Sequence, residues 1–340
     1  MNSAGAVDPA PVAAMPGVSR LLAATLGTLR NLVRRTRTGS ASPGAAGKVW
    51  LTLLMLLPFS AIVFLLRVRL LVSGPISVRV RTDDGDWFEC HPPDLIQLYL
   101  WIFGVWEPDL THFIRRRLRP GDVFVDVGAN IGYFSVIAAR YVGAEGRVVA
   151  IEASPSMFAD LEETLRANGS SSIVRAVNVA AAAQAGSIPV YAGPAHNTGL
   201  TSTVERWGRP QQATVQALPL DDILSPEEIS RARVLKIDVE GGEDQVLAGM
   251  ARVIRDAPRE LEILVELSPQ WWSDSTNRPI DVLEPFIDAG FHVYAMENSY
   301  WPWRYLWPNH APRPRRIRGG LEQRKRRIDV VLSREDAELL

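Results

Sequence analysis

The sequence is poor in cysteine and histidine and carries almost no net charge. Its 340 residues include one cysteine, Cys90, and five histidines. A single cysteine excludes an intramolecular disulfide framework and any multi-cysteine zinc site, and it suits a reducing cytosol. The formal net charge of −1 identifies no partner by itself. How the charges are distributed along the chain is therefore more informative than their sum.

One long apolar run stands out at residues 49–66, which contain no charged residue and are flanked by Lys48 and Arg67. Its length just reaches the threshold for a transmembrane helix. Pro58 lies in its middle, a position that membrane helices tolerate better than soluble ones. Arginines on both sides leave the orientation undecided. We expect a helix that anchors in or dips into a membrane or, alternatively, an apolar helix docked on the rest of the protein.

The composition predicts four regions along the chain. The first is rich in Ala, Gly, Pro and Ser, with five arginines, and is expected to be flexible with at most one weak helix near 18–35. The predicted regions are a flexible basic arm (1–47), the hydrophobic segment (48–73), a cap containing a hairpin and helices (74–119), and the main α/β domain (120–334).

The main domain begins with a βαβ unit. Residues 123–127 form a valine-rich apolar run typical of a strand buried on both faces. A turn from Gly128 to Gly132 follows, then a helical pattern, and then a second apolar strand at 147–151 that ends in Glu152. This arrangement is typical of a unit that binds a nucleotide-like ligand at its first turn.

The turn does not contain the glycine pattern of dinucleotide-binding proteins, because Asn130 replaces the middle glycine. A pyrophosphate needs bare backbone there, whereas a ligand with a methionine tail does not. Glu152 could accept hydrogen bonds from both hydroxyls of a ribose. We therefore expect S-adenosylmethionine rather than NAD. Two alternatives remain open: an NAD(P)-dependent oxidoreductase, and a glycine turn that serves only strand-to-helix packing.

Strands and helices alternate through the main domain, which predicts a doubly wound, mostly parallel sheet. Asp238 and Glu266 end two successive predicted strands, with Glu240 and Glu243 following Asp238. These carboxylates should converge at the carboxyl edge of the sheet. One could act as a general base, or together they could hold a Mg²⁺ ion. Glu240 could instead cap a helix.

Several short motifs occur along the chain: the GVWEP of residues 104–108, the DVGANIG of 126–132, Glu152 with Pro155, the LDD of 220–222, the KIDVEG of 236–241, and Glu266. Together they resemble the FkbM-type family of S-adenosylmethionine-dependent methyltransferases, and the resemblance extends over about residues 76–332. It implies a seven-stranded Rossmann-like sheet whose last strand is antiparallel, and methyl transfer, usually onto an oxygen of a sugar or secondary metabolite. Ala153 departs from the proline that commonly follows the acid in the family.

The predicted site residues fall into two groups. Glu107 is assigned to the cofactor by the resemblance, Asp126 and the turn should hold its methionine end, and an adenine is expected near 178–180. The predicted cofactor-binding residues are Glu107, Asp126, Gly128, Ala129, Asn130, Gly132, Tyr133, Glu152, Ala153, Asn168, Val179, Ala180 and Asp238. The predicted catalytic residues are Asp238, Glu240, Glu266 and His196, whose pKa would suit proton abstraction near neutrality.

Residues 299–327 hold three tryptophans, two tyrosines and nine Arg or Lys against Glu322. Such a composition suits anionic lipid headgroups or nucleic-acid phosphates, and the apolar run at 49–66 favours a membrane surface. A lid over the substrate is the alternative. We expect a cytoplasmic, membrane-associated enzyme that acts on a small-molecule or glycan acceptor. A non-catalytic membrane-surface binding module is a further alternative.

Overall fold

A computed structural model describes residues 20–37, 44–74, 76–92, 94–194, 197–205, 208–272, 278–307, 312–319, 321 and 327–340. The chain divides into two compact units. The small unit comprises the described residues of Met1–His112, Ala195–Gly199 and Ser299–Ala311, and the large unit those of Phe113–Pro194, Leu200–Asn298 and Pro312–Leu340.

The helices and strands follow one another along both units. The helices are α1 (Arg20–Arg35), α2 (Ala45–Ser73), α3 (Leu95–Phe103), α4 (Pro108–Arg117), α5 (Tyr133–Val142), α6 (Pro155–Ala167), α7 (Leu220–Ile223), α8 (Pro226–Ser230), α9 (Glu243–Ala248), α10 (Ala251–Asp256) and α11 (Pro279–Asp288). The strands are β1 (Val78–Arg81), β2 (Trp87–Cys90), β3 (Val123–Val127), β4 (Arg147–Ile151), β5 (Val174–Val177), β6 (Ala180–Ala181), β7 (Gly186–Tyr191), β8 (Gln211–Leu218), β9 (Ala232–Ile237), β10 (Glu262–Leu267), β11 (His292–Ala295), β12 (Arg315–Arg316) and β13 (Ile328–Ser333).

The main sheet of the large unit has the order β12-β11-β13-β10-β9-β3-β4-β5 among the described residues. Strands β5, β4, β3, β9 and β10 are parallel, whereas β13 is antiparallel to both of its neighbours, β10 and β11. The predicted doubly wound sheet with an antiparallel last strand is therefore confirmed. The two-residue β12 adds an edge strand to the seven that were predicted.

The central strands β3, β4 and β9 contain few polar residues because their side chains are buried on both faces of the sheet. All five residues of β3 are buried, and β4 and β9 are buried along nearly their whole length, since helices pack on both sheet faces. The carboxyl ends of the parallel strands lie at one edge of the sheet, where such folds bind ligands. Because β13 runs the opposite way, its first residues lie at that same edge.

Two expected elements are divided in the structure. The sequence predicts one strand at 173–180, but β5 ends at Val177, and Ala180–Ala181 joins a separate sheet of order β6-β8-β7. The helix expected at 243–254 is broken into α9 and α10 at Gly249. A Cβ on Gly249 would lie 2.2 Å from the carbonyl oxygen of Ala182, so close backbone approach explains a glycine at the break.

The small unit contains α1, α2, α3 and the antiparallel β1–β2 hairpin that the sequence predicts. The one helix expected in the basic arm, near 18–35, is α1, which buries Leu26 and Val33 and packs along α2. Helix α2 covers the apolar run, and of the described helices it is the one long and apolar enough to cross a membrane. Residues 308–311, 320 and 322–326 of the aromatic, basic stretch lie outside the described residues.

Candidate functional site

The turn after β3 satisfies its own backbone donors. The N–H groups of Gly128 and Ala129 both donate to the carbonyl of Ile151, at 2.9 and 3.0 Å. The Gly132 N–H donates to the Ala129 carbonyl at 2.9 Å. The Asn130 N–H donates to Glu152 Oε2, and the Ile131 N–H to Asn130 Oδ1, each at 2.8 Å. Because every N–H from 128 to 132 is used internally, this turn offers no cradle for a phosphate.

The two glycines of the turn are required mainly by packing. Gly128 has φ +79°, and a Cβ there would lie 1.8 Å from the carbonyl oxygen of Asp238. Gly132 has φ +87°, and its Cβ would lie 2.6 Å from Leu161 Cδ1 of α6. The sequence-based reason, room for a ligand against the backbone, is therefore incomplete. Asn130 adopts φ +51°, a left-handed conformation that asparagine tolerates better than most residues.

Glu152 is held in place by backbone donors on both sides. Its Oε2 accepts the Asn130 N–H at 2.8 Å, and its Oε1 accepts the Ser154 N–H at 2.9 Å. Burial raises the pKa of Glu152 to about 7, against the lowering effect of these two bonds. Each carboxylate oxygen keeps a further lone pair, so the group can still accept two hydrogen bonds.

Lys236 links the ends of β3 and β9. Its Nζ lies 3.1 Å from Asp238 Oδ2 and 3.7 Å from Asp126 Oδ1. It also lies 5.1 Å from the centroid of the Phe134 ring. The buried ammonium thus has the carboxylate partners that its cost of burial requires.

Asp126 is fully buried, and its Oδ2 accepts the Ser135 hydroxyl at 2.7 Å. Burial raises the pKa of Asp126, against the lowering effect of Lys236. Asp126 thus contacts Ser135 of α5 and Lys236, and its expected contact with a cofactor stays a prediction.

Three of the predicted catalytic carboxylates converge at the carboxyl edge. Asp238, Glu240 and Glu266 each place one carboxylate oxygen within 4.8 Å of the others, and all three are half-buried. Glu240 has φ +56°, and its carbonyl accepts the Ser202 hydroxyl at 2.8 Å. We call these three residues the acidic cluster. A non-glycine residue in this strained conformation next to a pair of glycines is typical of functional sites.

The sequence reasoning missed three neighbours of the acidic cluster. Asp329 of β13 lies opposite Glu266 in the strand register, and burial raises its pKa to about 6. Arg327 Nη1 lies 3.7 Å from Glu266 Oε2, and Arg327 Nε lies 3.2 Å from Asp329 Oδ2. Asn298 Nδ2 donates to Asp329 Oδ1 at 3.2 Å. An acid at the start of an antiparallel strand was the available signal, because that end lies at the carboxyl edge of its parallel neighbours.

Glu243 was expected to converge with the acidic cluster. It is instead fully buried, although it lies close to Glu240 in the sequence. Its Oε1 accepts the Gly241 N–H at 2.5 Å, and its Oε2 accepts Trp272 Nε1–H at 2.8 Å and the Ser268 N–H at 3.3 Å. Burial raises the pKa of Glu243 to about 7. This carboxylate braces the start of α9 and leaves the cluster with three members.

Asn168 lies apart from the carboxyl edge. It ends α6, which runs from the end of β4 back toward the start of β5, and its Nδ2 donates to the Thr164 carbonyl at 2.8 Å. That position does not fit the expected contact with an adenine. Asn178 lies at the carboxyl end of β5, and its Nδ2 donates to the Glu152 carbonyl at 2.8 Å.

None of the remaining predicted residues is seen to take part in the acidic cluster, among the residues that the structure describes. Ala129, Tyr133, Val179 and Ala180 are buried, and Ala153 packs beside the small apolar cluster around Ala180. Glu107 belongs to the small unit, where it is buried with φ 40° and its N–H donates to the Tyr305 hydroxyl at 3.2 Å. His196 lies outside the described residues. The cofactor contacts assigned to these side chains stay predictions.

The large unit therefore presents two chemically distinct regions at the carboxyl edge of its sheet. We call the turn of residues 128–132 with Glu152 the glycine corner, and it offers fixed hydrogen-bond acceptors. The acidic cluster offers proton acceptors with cations beside it. Lys236 and Arg327 already balance part of that negative charge, which leaves less of it for the Mg²⁺ ion that the sequence analysis offered as one alternative.

Comparisons with known proteins point in one direction. A family model described as "Methyltransferase FkbM domain" matches residues 126–293. The chain is 27% identical over 198 residues to the methyltransferase sdnD of Sordaria araneosa, a match covering 50% of this chain and 73% of that protein. It is 29% identical over 150 residues to the hexuronic acid methyltransferase AglP of Haloferax volcanii, covering 44% of this chain and 58% of that protein.

Among solved structures, an S-adenosylmethionine-dependent O-methyltransferase from Thermotoga maritima matches with a TM-score of 0.35 and 14% identity. That match covers 76% of this chain and 77% of the other.

Proposed function

Because the chain belongs to the FkbM-type family of S-adenosylmethionine-dependent methyltransferases, we propose that it methylates a hydroxyl oxygen of a sugar, glycan or secondary metabolite. The relative named as a hexuronic acid methyltransferase supports a sugar-like acceptor. The acidic cluster is the observation that carries the proposal, since a polyol acceptor has hydroxyl groups that carboxylates can accept hydrogen bonds from.

The glycine corner fits a donor without phosphates. Its backbone N–H groups all donate to oxygens of the protein, some in the turn and some on Ile151 and Glu152, whereas Glu152 keeps acceptor capacity for two hydroxyls. We assign the ribose hydroxyls of S-adenosylmethionine to Glu152 on this ground. When bound, the cofactor supplies a methyl group activated by a positively charged sulfur. The alternative of an NAD(P)-dependent oxidoreductase fits poorly, because a pyrophosphate would find no free donor in this turn.

The acidic cluster supplies the proton acceptor for the reaction. A hydroxyl that donates its hydrogen bond to Asp238, Glu240 or Glu266 is oriented by that bond and loses its proton to the same carboxylate. Lys236 and Arg327 keep Asp238 and Glu266 in position through ion pairs at 3.1 and 3.7 Å. The contribution of the protein is thus positioning and one proton transfer.

We include membrane association on the cytosolic side in this proposal. Helix α2 is long and apolar enough to cross a membrane, and S-adenosylmethionine is a cytosolic metabolite. Basic and aromatic residues at 299–307 and 312–319 would suit the anionic surface of a membrane.

The two regions can be tested separately with one pair of variants. Glu152→Gln should weaken binding of S-adenosylhomocysteine roughly tenfold, because an amide oxygen replaces only part of the acceptor capacity. Glu266→Gln should leave that affinity unchanged within about twofold and lower methyl transfer on the order of a hundredfold. Calorimetry gives the affinities. Transfer is measured by mass spectrometry on uronic acids, glycosides and polyketide alcohols.

Glu227→Gln serves as the matched control, because that glutamate is 76% exposed on α8. It should change neither quantity. Equal loss of cofactor affinity in the Glu152 and Glu266 variants would contradict the division of roles. A methyl group found on carbon or nitrogen of the product would contradict O-methylation.

A further inference from the structure

Helix α2 has an uncovered apolar face that runs along almost its whole length. At spacings of three, four and seven residues, large apolar side chains point away from the protein; Leu57 is 79% exposed and Leu71 is 86% exposed. At 1.5 Å per residue this face is about 33 Å long. We call it the exposed stripe, and it consists of Val49, Leu53, Leu57, Phe64, Val68 and Leu71.

The opposite face of α2 is docked within the small unit. Met55, Pro58, Ile62 and Leu66 are its buried residues. In the middle of the helix, the Phe59 ring lies 6.1 Å from the rings of both Tyr99 and Phe103 of α3. Near the start of the helix, Lys48 Nζ lies 5.4 Å from the Trp307 ring. The helix is thus held by protein along one side for most of its length.

These two faces explain why α2 is hydrophobic all round, as a buried or membrane helix is. One face of α2 is shielded from water by packing against other elements of the small unit. The other face needs a second apolar environment. Lipid supplies that environment along a straight face of this length. Burying one exposed leucine or phenylalanine contributes a factor of roughly tenfold or more to partitioning.

A membrane-spanning orientation is disfavoured by the neighbour of α2. Helix α1 packs along α2, and a spanning α2 would carry it into the hydrocarbon. Beside Leu21 and Leu32, α1 exposes polar and charged residues that include Arg20, Thr25, Thr28, Asn31 and Arg35. Charged side chains on such a surface are strongly unfavourable in hydrocarbon.

We propose that α2 lies in the plane of the membrane surface, with the exposed stripe in the lipid and the opposite face docked on the small unit. This inference rests on the membrane association proposed above. Two tryptophans fit it. Trp301 and Trp303 stack with centroids 4.7 Å apart and are 62% and 37% exposed. Trp301 precedes, and Trp303 belongs to, a 3₁₀ turn, Pro302–Leu306, that packs on α2. Tryptophan and basic residues such as Lys48 and Arg67 are typical anchors at the lipid–water interface.

Flotation of the full chain tests whether the exposed stripe binds lipid. The wild type should float with vesicles of phosphatidylcholine and phosphatidylglycerol, and Leu57→Gln with Phe64→Gln should weaken this partitioning by about a hundredfold, tenfold for each side chain. Ile287→Gln is the matched control, since Ile287 is also exposed, at 38%, on helix α11 of the large unit. It should float like the wild type. Wild type that stays at the bottom, or that buries the stripe in a dimer instead, overturns the proposal.

Cysteine labelling then distinguishes an in-plane helix from a spanning one. The chain's own Cys90 is buried, so a cysteine introduced at either end of α2 reports alone. Gly44→Cys and Ser73→Cys place it at exposed positions before and at the end of the helix. In sealed inside-out vesicles from an expressing host, an impermeant maleimide should label both variants equally.

Labelling of one end only until detergent opens the vesicles would show a spanning helix and overturn the in-plane arrangement. Membrane association would survive that result, and the flotation assay reports on it separately. S-adenosylhomocysteine affinity, measured on the same preparations, reports on the methyltransferase proposal independently of both.

Discussion

The glycine corner and the acidic cluster lie at the same edge of one sheet, but they hold their carboxylates in opposite ways. Glu152 is fixed by two backbone N–H groups, and the turn that supplies one of them has no free donor left. Asp238 and Glu266 are held by the side chains of Lys236 and Arg327.

The difference shows how each region is specified. A backbone-held carboxylate depends on chain conformation, so the glycines and the left-handed Asn130 determine its position. The position of a carboxylate held by a cation depends on charge balance. Removing the cation therefore leaves the negative charge of its carboxylate partners uncompensated. The glycine corner is suited to a ligand that binds in the same way in every turnover, such as a cofactor. The acidic cluster is suited to a proton that is taken up and released in each turnover.

The largest effect is expected where the two regions touch. Gly128→Ala would place a Cβ 1.8 Å from the Asp238 carbonyl, and the backbone of one region would have to move away from the other. We expect a loss of about 4 kcal/mol or more in the free energy of unfolding, or failure to fold. Gly121→Ala is the matched control, because Gly121 has φ +92° with nothing within 4 Å of a Cβ. It should cost only about 1 kcal/mol.

Urea denaturation followed by circular dichroism measures both glycine variants. A Gly128→Ala protein as stable as Gly121→Ala would show that the close approach of the two backbones is not needed. The glycine corner would then be independent of the segment that follows β9.

The next effect concerns the support of carboxylates by a cation. Lys236→Met leaves Asp126 and Asp238 without the ammonium, and the fully buried Asp126 suffers most. We expect a loss of about 3 kcal/mol in unfolding free energy at pH 8, since an uncompensated charge stays buried. Adding Asp126→Asn should recover a large part of that loss. If the double variant lost the sum of the unfolding free energies that the two single variants lose, charge balance would not explain the role of Lys236.

The smallest effect concerns Glu243, which follows Asp238 closely in the chain but is held largely by N–H donors, as Glu152 is. Its folded-state pKa of about 7 lies above the unfolded value of about 4.5. The folded protein therefore binds the proton more tightly. The associated stability is fully present below about pH 4.5 and is lost as the pH rises to about 7, by about 2–3 kcal/mol.

Glu243→Gln should remove that share of the pH dependence, because an amide does not titrate in this range. The slope of unfolding free energy against pH between 5 and 7 is the quantity to compare, since it is insensitive to a uniform cost of the substitution. An unchanged slope would mean that Glu243 does not titrate as its burial suggests. Glu152 should keep contributing a slope of the same sign in both proteins.

Much of the fold and part of the site could be predicted from the sequence. The valine-rich runs at β3 and β4 have the predicted bounds, because strands buried on both faces exclude polar residues. The acidic cluster was predicted because the ends of successive parallel strands meet at one edge. Asp329 was missed, since its place depends on β13 pairing antiparallel with β10. The burial of Glu243 depends on Trp272, 29 positions away in a different segment.

By itself the sequence determined which strands are central, where the glycine corner lies and which acid follows β4, because burial on two faces and short-range turn chemistry act within a few residues. Only the tertiary structure decided that Gly128 makes room for Asp238, that Asp126 faces Lys236 and Ser135, and that one face of α2 is docked and the other uncovered. Those features depend on how closely distant segments approach, and that distance is set by packing of the whole unit rather than by any local pattern.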